Sequence, residues 1–307
     1  MSLELYQIII LIAIGALVGI SMSFLGQTGQ GVVIPIVFLM TGDILLAIAT
    51  SVLSDLITAS VVSIGYVKNK QYKFRSDTFI MIIVAIFGSF IGILILMITP
   101  VGNMFGWLLP LWIILFGAFI LRKGFPTSER IKESVQNLRT KMSKKRIEKE
   151  GQMGTEKKLE DQRDNEENDF QGIIPKGSWL FYIATIGVGF FIGINSGMFG
   201  ANSGMIIALT LIILFGYPIK KGVGTALILS IIVCLITFIL YQYLGYTIKG
   251  RFYFNFEIIL YLAIGSIITG IFASLYIQKL SAKAMGRGMG ILMILLGTIS
   301  LIFYFIR

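Results

Sequence analysis

Two short polar stretches interrupt the hydrophobic sequence, and both combine glycines with side chains that can donate hydrogen bonds. We call them the first break (residues 26–31) and the second break (residues 200–204). Each precedes an apolar segment of about ten residues, roughly half the length that spans a bilayer. A helix that begins inside a membrane directs free N–H groups and the positive end of its dipole toward whatever precedes it. The predicted chemistry is therefore binding of a small anion.

The predicted ligands are backbone amides, side-chain amides and hydroxyls, and no Lys or Arg lies in either break. Glycines let the backbone approach a ligand closely, and Thr, Asn and Ser are natural helix caps. Such a neutral site favours a hydrogen-bonded oxyanion that must also be released. The predicted binding residues, with Ser51 and Thr225 included as positions matched by the repeat described below, are Gly26, Gln27, Thr28, Gly29, Gln30, Gly31, Ser51, Asn195, Gly200, Asn202, Ser203, Gly204 and Thr225.

Other glycines are predicted to allow close helix packing, because small residues let helix backbones approach each other in membranes. This second interpretation applies to the pairs Gly15/Gly19, Gly88/Gly92 and Gly187/Gly189. Pro35 is predicted to lie in the first turn of the short helix after the first break, where a proline fits a helix start.

One acidic residue, Asp55, lies in the middle of a hydrophobic run, whereas the other acids outside the central linker lie at the ends of such runs. A carboxylate at the bilayer midplane is a functional-site hypothesis by default. Asp55 is predicted either to carry a proton coupled to anion movement or to hold helices together by hydrogen bonds. The sequence leaves both open.

Composition places the chain in a lipid bilayer. Hydrophobic residues make up 56% and charged residues 14% of the sequence, against about 25% charged in a soluble domain. The absence of His and the single, apolar-flanked Cys234 predict no metal site, disulfide or cofactor. The net charge of +10 is typical of basic cytoplasmic loops, so we expect no nucleic-acid partner.

The apolar runs form two sets of five, each with a short second member. They lie at about 5–24, 32–41, 44–67, 78–98 and 104–121, and at about 179–194, 205–215, 219–243, 256–275 and 287–306. A shift of 174 positions aligns Gly26 with Gly200, Ser51 with Thr225 and Tyr72 with Tyr246. An odd number of crossings in each set makes the repeats inverted, as in many secondary transporters.

The predicted fold is therefore an all-α integral membrane protein with two inverted repeats of about five segments and broken helices at their interface. Residues 1–121 form the first repeat, 122–176 a charged, partly disordered cytoplasmic linker, and 177–307 the second repeat. Basic loops, including Lys68 to Arg75, are assigned to the cytoplasm. Both termini of this multi-pass cell-membrane protein are then outside. Lys249 and Arg251 also fall outside, as exceptions to the rule that basic residues concentrate in cytoplasmic loops.

The residues of the first break resemble a known family. The pattern G-x-x-G-x-G before an apolar segment with Pro35, followed by Gly42 and Ala49-Thr50-Ser51, is similar to the TauE/SafE sulfite exporter (TSUP) family of anion permeases. Gly222-Val223-Gly224-Thr225 stands at the matching place in the second half. The resemblance implies transport of sulfite, thiosulfate or organosulfonates through the two breaks. The polar residues that interrupt the family's glycine run leave the exact substrate open.

Three alternative functions each disagree with a feature of the sequence. A cation-coupled exchanger would need several midplane carboxylates, and an intramembrane protease would need a Ser/His pair or two acids; neither set is present. A membrane scaffold would leave the polar breaks as an unexplained desolvation cost. We therefore expect a transporter and not an enzyme, with a small sulfur-containing anion and the lipid bilayer as partners. The direction of transport, the coupling ion and a homodimer stay open.

Overall fold

The computed structural model is helical wherever its described residues adopt regular structure. It describes residues 3–26, 30–99, 179–200, 203–277, 279–280 and 282–305, with single positions between 111 and 122. The helices are α1 (Leu5–Leu25), α2 (Gln30–Thr41), α3 (Ile44–Lys68), α4 (Ser76–Ile98), α5 (Trp179–Phe199), α6 (Ser203–Ile213), α7 (Ile219–Lys249), α8 (Phe256–Ile277) and α9 (Ala282–Phe305).

The predicted order of long, short, long and long segments is confirmed in both halves of the chain. The short helices α2 and α6, which we call the half-helices, each follow a break. The predicted fifth segment of the first half lies outside the described residues apart from its single helical positions, and so does the linker beyond 122.

Six of these helices are long and apolar enough to cross a membrane. They also expose large apolar side chains that a soluble protein would bury: Phe272 is 70% exposed and Ile83 is 67% exposed. A bilayer is the solvent in which such a surface is stable. The protein is a multi-pass membrane protein.

The most extensive helix pairs combine one helix from each half, α1 with α8 and α4 with α5. Glycines make this possible: a Cβ added to Gly15 would lie 2.1 Å from the Leu262 carbonyl oxygen, and one added to Gly193 would lie 2.0 Å from that of Ala85. The packing interpretation is confirmed for Gly15, Gly19, Gly88, Gly92 and Gly189. It is wrong for Gly187, because no atom in the described part of the chain lies within 4 Å of an added Cβ there.

The centre of the molecule is formed by α3 and α7, the two most buried of the six spans. They contact each other, and each also packs against one half-helix, α2 on α3 and α6 on α7. The half-helices therefore lie against the buried centre of the bundle.

The half-helix α2 begins two residues earlier than the apolar pattern predicted, at Gln30. Pro35 is consequently its sixth residue, so the prediction that it lies in the first turn is wrong. A proline inside a helix cannot donate to the carbonyl four residues earlier. The carbonyl of Gly31, the last residue of the first break, therefore lacks its usual helical donor.

Candidate functional site

The two breaks have the same backbone geometry. Helix α1 ends at Leu25 and helix α5 at Phe199, and in each case the next residue is a glycine with a φ of 61°. This left-handed conformation is the usual helix C-cap and strongly favours glycine, because a Cβ would be strained there. The positions are Gly26 and Gly200, which the predicted repeat aligned.

A buried tyrosine supports each break, and neither tyrosine is predicted from the sequence. The Tyr66 hydroxyl on α3 donates to the Ser23 carbonyl oxygen at 2.8 Å. The Tyr241 hydroxyl on α7 donates to the Gly197 carbonyl oxygen. Each accepting carbonyl lies three residues before the left-handed glycine, in the last turn of its helix, where backbone carbonyls have no partner within the helix. The tyrosines therefore satisfy carbonyls that the breaks release.

The two breaks contact each other. A Cβ built on Gly204 would lie 2.0 Å from the Gly26 carbonyl oxygen, and one built on Gly26 would lie 3.6 Å from the Gly204 carbonyl oxygen. Gly204 is the second residue of α6. The end of α1 therefore reaches the start of the half-helix in the other half of the chain.

Helix α3 lies beside the second break. An added Cβ on Gly200 would be 2.9 Å from Ile48 Cγ2 and 3.0 Å from Val52 Cγ2. Asp55 is three residues beyond Val52 and so lies on the same face of the helix. It is fully buried. The predicted midspan carboxylate is thus one turn away from residues that touch a break.

Three further polar side chains on α3 are fully buried and make no hydrogen bond to the described part of the chain: Thr50, Ser51 and Ser54. Buried hydroxyls usually have a partner, because leaving them unpaired is costly. These groups on the helix beside the second break are donors that a polar ligand could use. Ser51 belongs to the predicted binding set.

Thr225, the repeat mate of Ser51, has a different environment. Its hydroxyl donates to the Lys221 carbonyl oxygen at 2.7 Å and accepts from the Lys73 N–H at 2.9 Å. The structure therefore holds Thr225 against the loop between α3 and α4. Asn195 is half-buried on α5, about one turn before Gly200.

The remaining predicted ligands lie at or beyond the edge of the described structure. Gln30, Gly31 and Ser203 are in the first turns of their half-helices. Gln27, Thr28, Gly29 and Asn202 lie outside the described residues.

A model of the family described as sulfite exporter TauE/SafE matches residues 11–299, from within α1 to within α9. The chain belongs to the TauE/SafE sulfite exporter family. The predicted resemblance is confirmed, and TauE/SafE membership makes this multi-pass protein a member of a family of membrane anion transporters. No curated protein and no solved structure matches the chain.

Proposed function

We propose that this TauE/SafE protein is a permease for small sulfur-containing anions such as sulfite, thiosulfate or organosulfonates, and that the anion binds at the two breaks. The observation that carries the proposal is the backbone contact between Gly26 and Gly204. It brings the end of α1 and the start of the half-helix α6 to one place inside a membrane protein of a sulfite exporter family.

The chemistry of this place suits a weakly held anion. The start of the half-helix α6 contributes the positive end of a dipole, which stabilises an anion by about 0.3–1 kcal/mol and at most about 2 kcal/mol in a partly buried site. Neutral side chains such as Thr28 and Asn202 can donate hydrogen bonds to an anion but carry no net charge. A permease must release its substrate on the far side, and a site without Lys or Arg favours that release.

An inverted repeat accounts for the contacts around the site. The left-handed glycines Gly26 and Gly200 are 174 residues apart. The two carbonyl groups that accept the tyrosine hydrogen bonds, at residues 23 and 197, have the same separation. In this repeat α1 corresponds to α5 and α4 corresponds to α8. The contact of α1 with α8 is therefore the counterpart of the contact of α4 with α5. We assign residues 1–121 and 177–307 to the two repeats, 122–176 to the cytoplasmic linker, and both termini to the outside.

Reconstitution tests the proposal directly. Purified protein in liposomes should give saturable uptake of radiolabelled sulfite or thiosulfate, above that of empty liposomes. Sulfate and chloride are the first competitors to test for selectivity. If no sulfur-containing anion competes or moves, the substrate assignment is wrong.

Substituting the polar break residues should weaken the site. We expect Thr28→Val and Asn202→Val each to raise the KM for uptake about tenfold or more, because a hydrogen bond to a charged group contributes roughly 1.5–3 kcal/mol. Thr298→Val, which removes an exposed hydroxyl on α9, is the matched control and should leave KM unchanged. A normal KM in both break variants would place the anion elsewhere.

Asp55 gives a proposal for coupling. If its carboxyl carries a proton with the anion, Asp55→Asn should remove the dependence of uptake on the pH gradient, since the amide cannot exchange that proton. Glu257→Gln, at an exposed acid of α8, should retain the dependence. An unchanged pH profile in Asp55→Asn would leave Asp55 only its helix-locking role.

A further inference from the structure

Two arginines on loops hold the far ends of the half-helices, and each reaches across from the other half of the chain. At one end of the molecule, Arg251 Nη2 lies 2.7 Å from Asp43 Oδ2. Arg251 precedes α8, whereas Asp43 lies between the half-helix α2 and α3. This ion pair ties the far end of α2 to the second half.

Asp43 is well placed to transmit that contact to the backbone. Its Oδ1 accepts hydrogen bonds from the N–H groups of Leu45 and Leu46, at 3.1 and 3.2 Å, and so caps α3. Its other oxygen is the one that meets Arg251. Gly42 beside it is left-handed, with a φ of 70°, and ends α2. Arg251 therefore contacts the residue that joins the end of α2 to the start of α3.

An equivalent contact exists at the opposite end. Arg75 Nη1 donates to the Phe215 carbonyl oxygen at 3.1 Å, and its Cζ lies 5.9 Å from the centre of the Tyr217 ring. Between them lies Gly216, with a φ of 69°. This is the turn between the half-helix α6 and α7. Burial raises the pKa of the Tyr217 hydroxyl, so the tyrosine that faces Arg75 stays uncharged.

The two contacts lie at opposite ends of the central helices. Asp43 immediately precedes α3, and Arg75 follows it by seven residues. The 25 residues of α3 correspond to roughly 37 Å, enough to cross a bilayer. The breaks, where the half-helices begin, lie between the two contacts. Each face of the molecule thus has one arginine that fixes one half-helix.

We propose that Arg251 and Arg75 are positioning residues that act as two opposed gates in the transport cycle. Each closes one face by fixing the far end of a half-helix whose near end lies at the proposed anion site. This inference rests on the proposed function. Alternating access requires the site to open to one face at a time, so the two contacts break in alternation. Neither arginine needs to touch the anion.

The gates differ in chemistry. The Arg251 side chain is 59% exposed and borders a cavity of about 610 Å³ that Asp43 and Lys249 also line. An exposed ion pair contributes little and is weakened by salt. The Arg75 side chain is only 16% exposed, its acceptor is an uncharged carbonyl, and the nearest carboxylate, Asp77, is 3.9 Å away. Salt should therefore open the Arg251 gate first.

The test measures access to the buried centre from each face. Ser54→Cys places a thiol at a buried position on α3, and Cys234→Ala removes the only native cysteine. A membrane-impermeant thiol reagent is applied to either side of oriented proteoliposomes. Arg251→Gln should raise labelling from the Asp43 face only, by up to about fivefold, the strength of an exposed ion pair. Arg75→Gln should raise labelling from the other face only, by at least as much.

Two controls separate gating from misfolding. The conservative variant Arg251→Lys, which keeps the positive charge beside Asp43 and leaves the Asp43 cap intact, should retain the parental labelling from the Asp43 face. Without either gate substitution, high salt should increase labelling from that face more than from the other. The inference is overturned if either arginine variant changes labelling from both faces equally, or if salt acts on both alike.

The labelling needs no anion, which keeps the two proposals distinguishable. If the Ser54→Cys protein labels as expected but the protein with its native Ser54 moves no sulfur-containing anion, the proposed substrate is contradicted and the gates are kept. A protein that takes up sulfite while its labelling ignores Arg75 and Arg251 would contradict only the gates.

Discussion

Gly204→Ala is expected to reduce sulfite uptake by about one to two orders of magnitude. The added methyl group would lie 2.0 Å from the Gly26 carbonyl oxygen, and both partners of this contact are backbone. No side chain can move aside, so the two breaks must separate. Overpacking of this kind costs typically about 1–3 kcal/mol, and here the whole cost falls on the geometry of the proposed site. Initial uptake rates in liposomes measure the effect.

Gly187→Ala is the matched control on a membrane-spanning helix. An added Cβ there has nothing within 4 Å, and Ala is favoured over Gly in a helix by about 0.8–1.0 kcal/mol. We expect normal uptake and equal or slightly higher thermal stability. If the Gly204 variant transports as well as this control, the contact between the breaks is absent from the transporting conformation.

The helices and the breaks could be predicted because their causes are local. A ten-residue apolar run is too short to span a bilayer, so α2 and α6 followed from length alone. The left-handed backbone at Gly26 and Gly200 almost requires glycine. Such a requirement can be recognised in the sequence as a glycine, and here the glycine recurs after 174 residues.

The parts that could not be predicted depend on which helix faces which. Gly187 is a membrane-helix glycine spaced like the packing glycines, yet no atom of the described residues lies within 4 Å of a Cβ added there. Thr225 aligns with Ser51, but its hydroxyl is used by the loop that carries Lys73. Tertiary contacts decide both cases, and a single sequence does not show them.

Tyr66 illustrates the same limit at the site itself. A tyrosine near the end of a hydrophobic run usually lies at the membrane interface, so its residue type gave no reason to place it inside. Its counterpart Tyr241 stands 175 positions later, one residue from the repeat spacing. That near-coincidence was the available signal. Only the structure identifies the carbonyls that the two hydroxyls meet.

Tyr66→Phe and Tyr241→Phe are expected each to raise the KM for sulfite by roughly 5- to 30-fold. Phenylalanine keeps the ring packed in its fully buried position but leaves the Ser23 or Gly197 carbonyl without the tyrosine's hydrogen bond. Inside the membrane no bulk water can replace it. The loss of roughly 1–2 kcal/mol falls beside the left-handed glycine, where it relaxes the break and misplaces the N–H donors.

Tyr243→Phe is the control for these variants, because it removes a hydroxyl from the same helix as Tyr241 at a side chain that is 63% exposed. Uptake should be unaffected there. The inverted repeat adds a stricter requirement: if both breaks form one anion site, the Tyr66 and Tyr241 variants should raise KM by similar factors. A large effect of one and none of the other would mean that a single break binds the anion, and that the second serves only to let the end of α1 contact the start of α6.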